Sequence, residues 1–288
     1  MTVLIDDRHI SAAADQAAGR PPSALSDYSQ LMGQVRQAHL LDRSVVGYLP
    51  RAGGLAALGA IICVAFWWLG TSWWQLLVAA GLAAMSAQIG FLGHDAGHQQ
   101  MFRSRRWNDT VGMVLSNAGI GLSYGWWVGK HRRHHQHPND TARDPDVQRG
   151  VLAWTPEQAR RQSGVLRTVV DHQAELFFPL LLLEAVSLRV SSVRALLGRP
   201  RHALRECVLL VAHVVVYLGL LFWWLSPLQA LAFVAVHQAL LGLYLGVTFA
   251  PNHKGMHMAE PGEQLDYLRR QVLTSRNVRG GRAMGVLS

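Results

Sequence analysis

At 288 residues, with a net charge of +9 and a mean hydropathy of +0.13, the chain is both basic and half hydrophobic. A soluble protein of this charge would suggest a nucleic-acid partner, but two stretches without a charged side chain, Ala52–Gly93 and Cys207–Asn252, exclude it, because Lys and Arg collect on the cytoplasmic loops of membrane proteins. Cys63 and Cys207 lie in or beside those stretches and read as small buried hydrophobes, which excludes a disulfide framework or thiolate metal site.

Residues 1–25 are rich in Ala and Ser, contain Pro21-Pro22, and predict a mobile arm. Asp6, Asp7 and Arg8 interrupt the first ten residues, so no cleavable signal peptide is expected. Residues 26–288 are expected to form one membrane domain. From Ser26 to Pro50, Leu31, Val35, Ala38, Leu41 and Val45 recur at helical intervals, predicting one helix on the membrane surface, closed by Pro50.

Each uncharged stretch is about twice the roughly 20 residues that one crossing needs. Gly70-Thr71-Ser72 breaks the first and Ser226-Pro227 the second, giving hairpins at about 52–70 with 73–92 and 207–225 with 228–250. Trp67, Trp68, Trp73, Trp74, Trp223 and Trp224 cluster at the two turns, as expected where turns meet the headgroup zone. Thr110–Gly129 is also uncharged, but its five glycines, with Ser116, Asn117 and Ser123, suit a shallow or re-entrant segment better than a lipid-facing helix. Leu176–Leu188 holds Pro179 and Glu184 and is expected at the interface. The predicted fold class is an all-α integral membrane protein. It has four transmembrane helices in two hairpins, added interfacial helices, and a histidine-bearing cap that shares the cytoplasmic face with both termini.

Of fourteen histidines, six fall between His94 and His137. His94 and His98 are spaced i, i+4, and His131, His134 and His135 lie within one turn of a helix, so each set presents imidazoles on one face. His253 marks the return of the last span. An all-imidazole set favours iron, zinc or copper, and the absence of His-Glu-x-x-His argues against a zinc protease. His137 precedes Pro138 and reads as a loop residue. His213 and His237, inside the second hairpin, read as structural hydrogen-bonding groups, or for His237 as the lining of an internal tunnel. His9, His39, His172 and His202 read as surface residues.

His94-Asp95-Ala96-Gly97-His98, the run Lys130–Asn139 and the run Phe249–Met256 together resemble the membrane fatty acid desaturase family, from about residue 28 onward. The resemblance implies a centre of two iron ions that uses O2 to remove two hydrogens from neighbouring methylenes of an acyl chain. It implies His94, His98, His131, His134, His135 and His253 as iron ligands. Beside those boxes, Asp95 and Asn252 read as groups that orient the ligand rings, and Asp144 and Asp146 read either as further such groups or as a solvated turn. The resemblance also implies a fatty acyl substrate, carried on lipid or CoA. No His-Pro-Gly-Gly haem signature is present, so electrons are expected from a separate donor such as a ferredoxin and its reductase. The family's third histidine box is missing from Leu273–Ser288, and the expectation is a truncated chain with impaired activity. A hydroxylase or ketolase on the same scaffold, and a non-enzymatic metal-binding membrane protein, are the alternatives.

Overall fold

The computed structural model describes residues 26–43, 45–148, 150–198, 203–260 and 262–278. The arm expected over residues 1–25, together with His9 and His202, lies outside them. The chain divides into two compact units: one takes residues up to Asp42 with Asp266–Arg269, the other Arg43–Leu265 with the residues from Arg270 onward.

In the first unit, α1 (Asp27–Gln37) is opened by Ser26, whose hydroxyl accepts the Ser29 amide at 3.3 Å, a side-chain N-cap. Tyr28 packs edge-on against Tyr267 at 5.0 Å.

The second unit begins with α2 (Val45–Trp68) and α3 (Gln75–Gly97). The single surface helix expected from Ser26 to Pro50 is therefore two helices. Its break lies at His39, whose φ of 55° leaves the right-handed helical region. Pro50 sits inside α2 instead of ending a helix, at the cost of the one amide bond that its ring nitrogen cannot donate.

Further along are α4 (Arg105–Met113), a π-helical turn (Val114–Gly119), α5 (Tyr124–Gln136), α6 (Pro156–Arg160), α7 (Gly164–Asp171), α8 (Gln173–Leu181) and α9 (Glu184–Leu197). Then come α10 (Leu204–Trp224) and α11 (Pro227–His253), while the short α12 (Tyr267–Leu273) belongs to the first unit up to Arg269 and to the second from Arg270. Among the described residues there is no β-strand, only an isolated bridge between Asp140 and Ala259.

Among the described residues four helices, α2, α3, α10 and α11, are long and apolar enough to cross a bilayer, with mean hydropathies of 1.8, 1.8, 2.2 and 1.8. They form the two expected hairpins. Ser226 and Gln229 make a capping box at the start of α11, and the Gln229 side chain donates to the Thr71 carbonyl, joining the two hairpin turns. Trp67 lies 4.4 Å from Trp224 at the same end, while Trp68 and Trp223 are exposed there. Since α3 and α11 both start at the turns, they run parallel. They pack closely through Ala83, Ala87, Phe91, Leu241 and Leu245, with Ala185 of α9 completing the cluster. Their far ends carry His94 and His253.

Thr110–Gly129 is broken among α4, the π-helical turn and the start of α5, so it makes no continuous span. The pair α8 and α9 reaches span-like length only with a 70° bend. The bend packs on α11 where Gly242 has no side chain: a Cβ there would lie 2.5 Å from the Leu181 carbonyl and 3.0 Å from the Ala185 nitrogen.

Buried polar groups tie these parts together. Glu206 is 9% exposed at the start of α10. Its carboxylate accepts from the Ser123 hydroxyl (2.6 Å), the Asn117 amide (3.1 Å) and the Gly125 N–H (3.2 Å). The second hairpin thereby holds the N-terminus of α5, where a carboxylate meets the positive end of the helix dipole. His213 Nδ1 donates to the Ala118 carbonyl at 2.9 Å. His237 lies between the hydroxyls of Tyr217 (2.8 Å) and Ser86 (3.2 Å). Both have the hydrogen-bonding role expected of them.

Candidate metal centre

α3 ends in His94 and Gly97 with His98 as its C-cap, and α5 carries His131, His134 and His135. The Ser123 hydroxyl starts α5 by accepting the Trp126 N–H at 3.2 Å. Helical periodicity then places His131 and His135 one turn apart, facing the end of α3.

Four rings converge. His131 Nε2 lies 3.1 Å from His94 Nε2, 3.0 Å from His98 Nε2 and 2.9 Å from His135 Nε2. Two nitrogens bound at right angles about 2.1 Å from one ion would be about 3.0 Å apart, so the set matches a shared first-row metal. The ligand atoms of these four residues all lie within 4.8 Å of one another. Burial and the surrounding imidazoles push the His131 pKa far below its ordinary value. Burial, then His98 and His134, brings His135 down to about 4, and burial with His94 lowers His98. Rings that stay neutral keep the lone pairs that a metal needs. Trp127 stacks on His131 at 4.5 Å and 20°, and lies 5.5 Å from His94.

A second group lies beside the first. The rings of His134 and His253 are 4.5 Å apart, and His134 is 5.6 Å from His135. His134 Nδ1 donates to both oxygens of Asp144 at 3.0 Å, and His253 Nδ1 donates to the Thr274 carbonyl at 3.0 Å. These bonds fix each ring's tautomer and leave Nε2 as the remaining ligand atom. Asp146 lies 3.4 Å from His134 Nδ1 and pairs with Lys130. Burial alone would raise the Asp146 pKa, but Lys130 and His134 hold it below the usual carboxylate range.

All six expected ligand histidines thus gather at one end of the helices, four in one group and two in the other. His137 caps α5, accepts from Arg270 at 3.3 Å and stays outside both groups. Asp144, fully buried, backs His134. Asp95 stands 3.5 Å from His94 Nδ1 and 3.8 Å from Arg51, a looser contact than a hydrogen bond. Asn252 contributes its backbone, accepting the Arg276 N–H at 3.0 Å.

The tie that sequence reasoning missed is Asn139, which is 1% exposed. Its side-chain amide donates to the carbonyls of His253 (2.9 Å) and His257 (3.1 Å), and its own N–H donates to Asp144 at 2.8 Å. Its φ of 55° suits Asn better than most residues, and the Pro138-Asn139 pair is the turn signal that could have found it. Below the imidazoles, Phe249 lies 6.2 Å from His94 and 5.9 Å from Phe91, forming an apolar wall at the mouth of the bundle.

The sequence model of a family described as "Fatty acid desaturase" matches residues 66–288. The chain is 29% identical over 276 residues to an acyl-lipid (9-3)-desaturase of Physcomitrium patens, covering 90% of this chain and 51% of that protein. It is 26% identical over 248 residues to a delta(8)-fatty-acid desaturase of Helianthus annuus, covering 79% and 52%. A delta 8-(E)-sphingolipid desaturase of Kluyveromyces lactis is 30% identical over 193 residues, covering 61% and 32%. The chain spans about half the length of the first two of these relatives.

Proposed function

Since the chain belongs to the fatty acid desaturase family, we propose that it forms the metal-binding core of an O2-dependent desaturase acting on acyl chains in a membrane. The observation that carries this reading is the convergence of four imidazoles from two helices on His131. The first iron belongs to His94, His98, His131 and His135. The second belongs to His134 and His253, with the Asp144 carboxylate holding His134.

Iron bound in these groups supplies an oxidant drawn from O2, which an unactivated C–H bond requires and no side chain can provide. The protein's own part is placement. Asp144 and the Thr274 carbonyl aim the rings of His134 and His253. Phe91 and Phe249 offer an apolar surface along which an acyl chain lies beneath His94. The Lys and Arg residues outside the spans support a cytoplasmic position for the histidine end, where a separate donor such as a ferredoxin delivers electrons. The test reads product mass. The iron-loaded chain in lipid vesicles, given O2 and a ferredoxin with its reductase, should yield acyl chains two hydrogens lighter. Unaltered chains from protein with iron bound would overturn the reading, and a gain of one oxygen would replace desaturase by hydroxylase.

A further inference from the structure

We propose that Trp127 is a positioning residue of the four-histidine group, and that Gly97 is small in order to admit its indole. The inference rests on the assignment of that group as a metal site and adds to it what holds His131 in place.

His131 is the hub, because its Nε2 approaches three other imidazole nitrogens. An imidazole on a helix can turn about two side-chain torsions, and a turn of a few tens of degrees would carry Nε2 away from the other three. Among the described residues His131 Nδ1 has no hydrogen-bond partner, in contrast to His134 and His253, whose Nδ1 atoms are anchored. Packing takes the place of that anchor. The Trp127 indole, one helical turn before His131 on α5, lies flat on the ring at 4.5 Å and 20°, and it also makes a ring contact with His94 on α3 at 5.5 Å. One rigid side chain therefore touches a ring from each of the two helices, α3 and α5, that build the four-histidine group. Stacking of this kind is attractive and depends on ring orientation, so it favours one setting of the imidazole.

Gly97 makes the independent observation. A Cβ built there would lie 2.7 Å from Trp127 Cζ3 and 3.4 Å from Val128 Cγ2. Any larger residue would displace the far edge of the indole, and with it the face that His131 rests on. Between His94 and His98, the position is thus reserved for the ring that orders the centre.

Cobalt(II), followed by its visible absorption band and its release to a chelator, tests this in the full chain, with circular dichroism reporting helix content. Trp127→Phe keeps a flat ring and should retain the wild-type band and release rate. Trp127→Ala and Gly97→Ala should alter the band and release cobalt roughly tenfold faster or more, the range for loss of a group that orients a ligand, with helix content unchanged. Wild-type release from both variants would overturn the proposal, as would loss of helix in both, which would make the indole a folding element only. A wild-type chain that takes up no cobalt and no iron would sink the metal site itself, and this proposal with it. That result differs from one in which the wild type binds metal and the variants match it.

Discussion

Replacing Asp144 by Asn changes one charge and almost no volume at a fully buried position. The carboxylate accepts from His134 Nδ1 with both oxygens at 3.0 Å, from the Asn139 N–H at 2.8 Å and from the Asp146 N–H at 2.8 Å. An amide offers one acceptor oxygen and one donor group, so at least one of the three donors then faces an N–H. A buried donor left without a partner costs about 1–3 kcal/mol, and the surviving bonds lose their charge-assisted strength. A loss of about 2–4 kcal/mol follows, a large part of the roughly 5–15 kcal/mol that holds a domain folded. At about 2–4 °C per kcal/mol for a chain of this size class, Asp144→Asn should melt on the order of 5–15 °C lower in the same detergent. Iron at the His134 group should be held about 10–100-fold more weakly. Thermal unfolding and chelator-driven iron release measure the two effects. Asp146→Asn, whose carboxylate is partly exposed and pairs with Lys130, should cost less. Equal melting and equal iron release for Asp144→Asn and wild type would refute the reasoning.

Gly242→Ala places a methyl group against backbone atoms on both sides of the α8–α9 bend. Such overpacking should destabilise the chain by about 1–3 kcal/mol, read as a lower melting temperature, and a wild-type value would show that the bend does not pack there. Glu206→Ala leaves the Ser123 and Gly125 donors without this acceptor, and Asn117 with only its longer bond to the residue 206 carbonyl. It should reduce stability by at least about 2 kcal/mol, whereas Glu206→Gln should retain part of it. In the metal-free chain, burial lowers the His135 pKa from 6.5 to about 4 and shifts His98 and His131 the same way. The unfolded chain then binds protons first as pH falls. Stability should be full above about pH 6.5 and decline as the pH falls from there to about 4, and a melting temperature that holds or rises as the pH is lowered would contradict the assignment.

The sequence was most informative where the physics is local. Loss of charge over Ala52–Gly93 and Cys207–Asn252 located the spans, and Gly70 and Ser226-Pro227 located their turns. Intervals of three and four placed His94 with His98 and His131 with His135, because helical spacing alone brings those rings together. Glycines in Thr110–Gly129 announced a broken segment, although not its π-helical turn. What remained hidden depends on partners far apart in the chain. Asn139 reaches the His253 carbonyl, Glu206 reaches Ser123, and Trp127 reaches His94, and no periodicity encodes such pairs. Pro50 misled for a different reason: it signals a helix end, yet α2 absorbs it, while the true break at His39 carries neither Gly nor Pro.

The most direct test is the iron content of the purified chain beside its His131→Ala variant, measured by elemental analysis after washing with a weak chelator. A four-imidazole group centred on His131 should hold at least about one iron per wild-type chain, and the variant should lose that ion while keeping its helix content. Iron retained in full by His131→Ala, or a wild-type chain that binds none, would contradict the account.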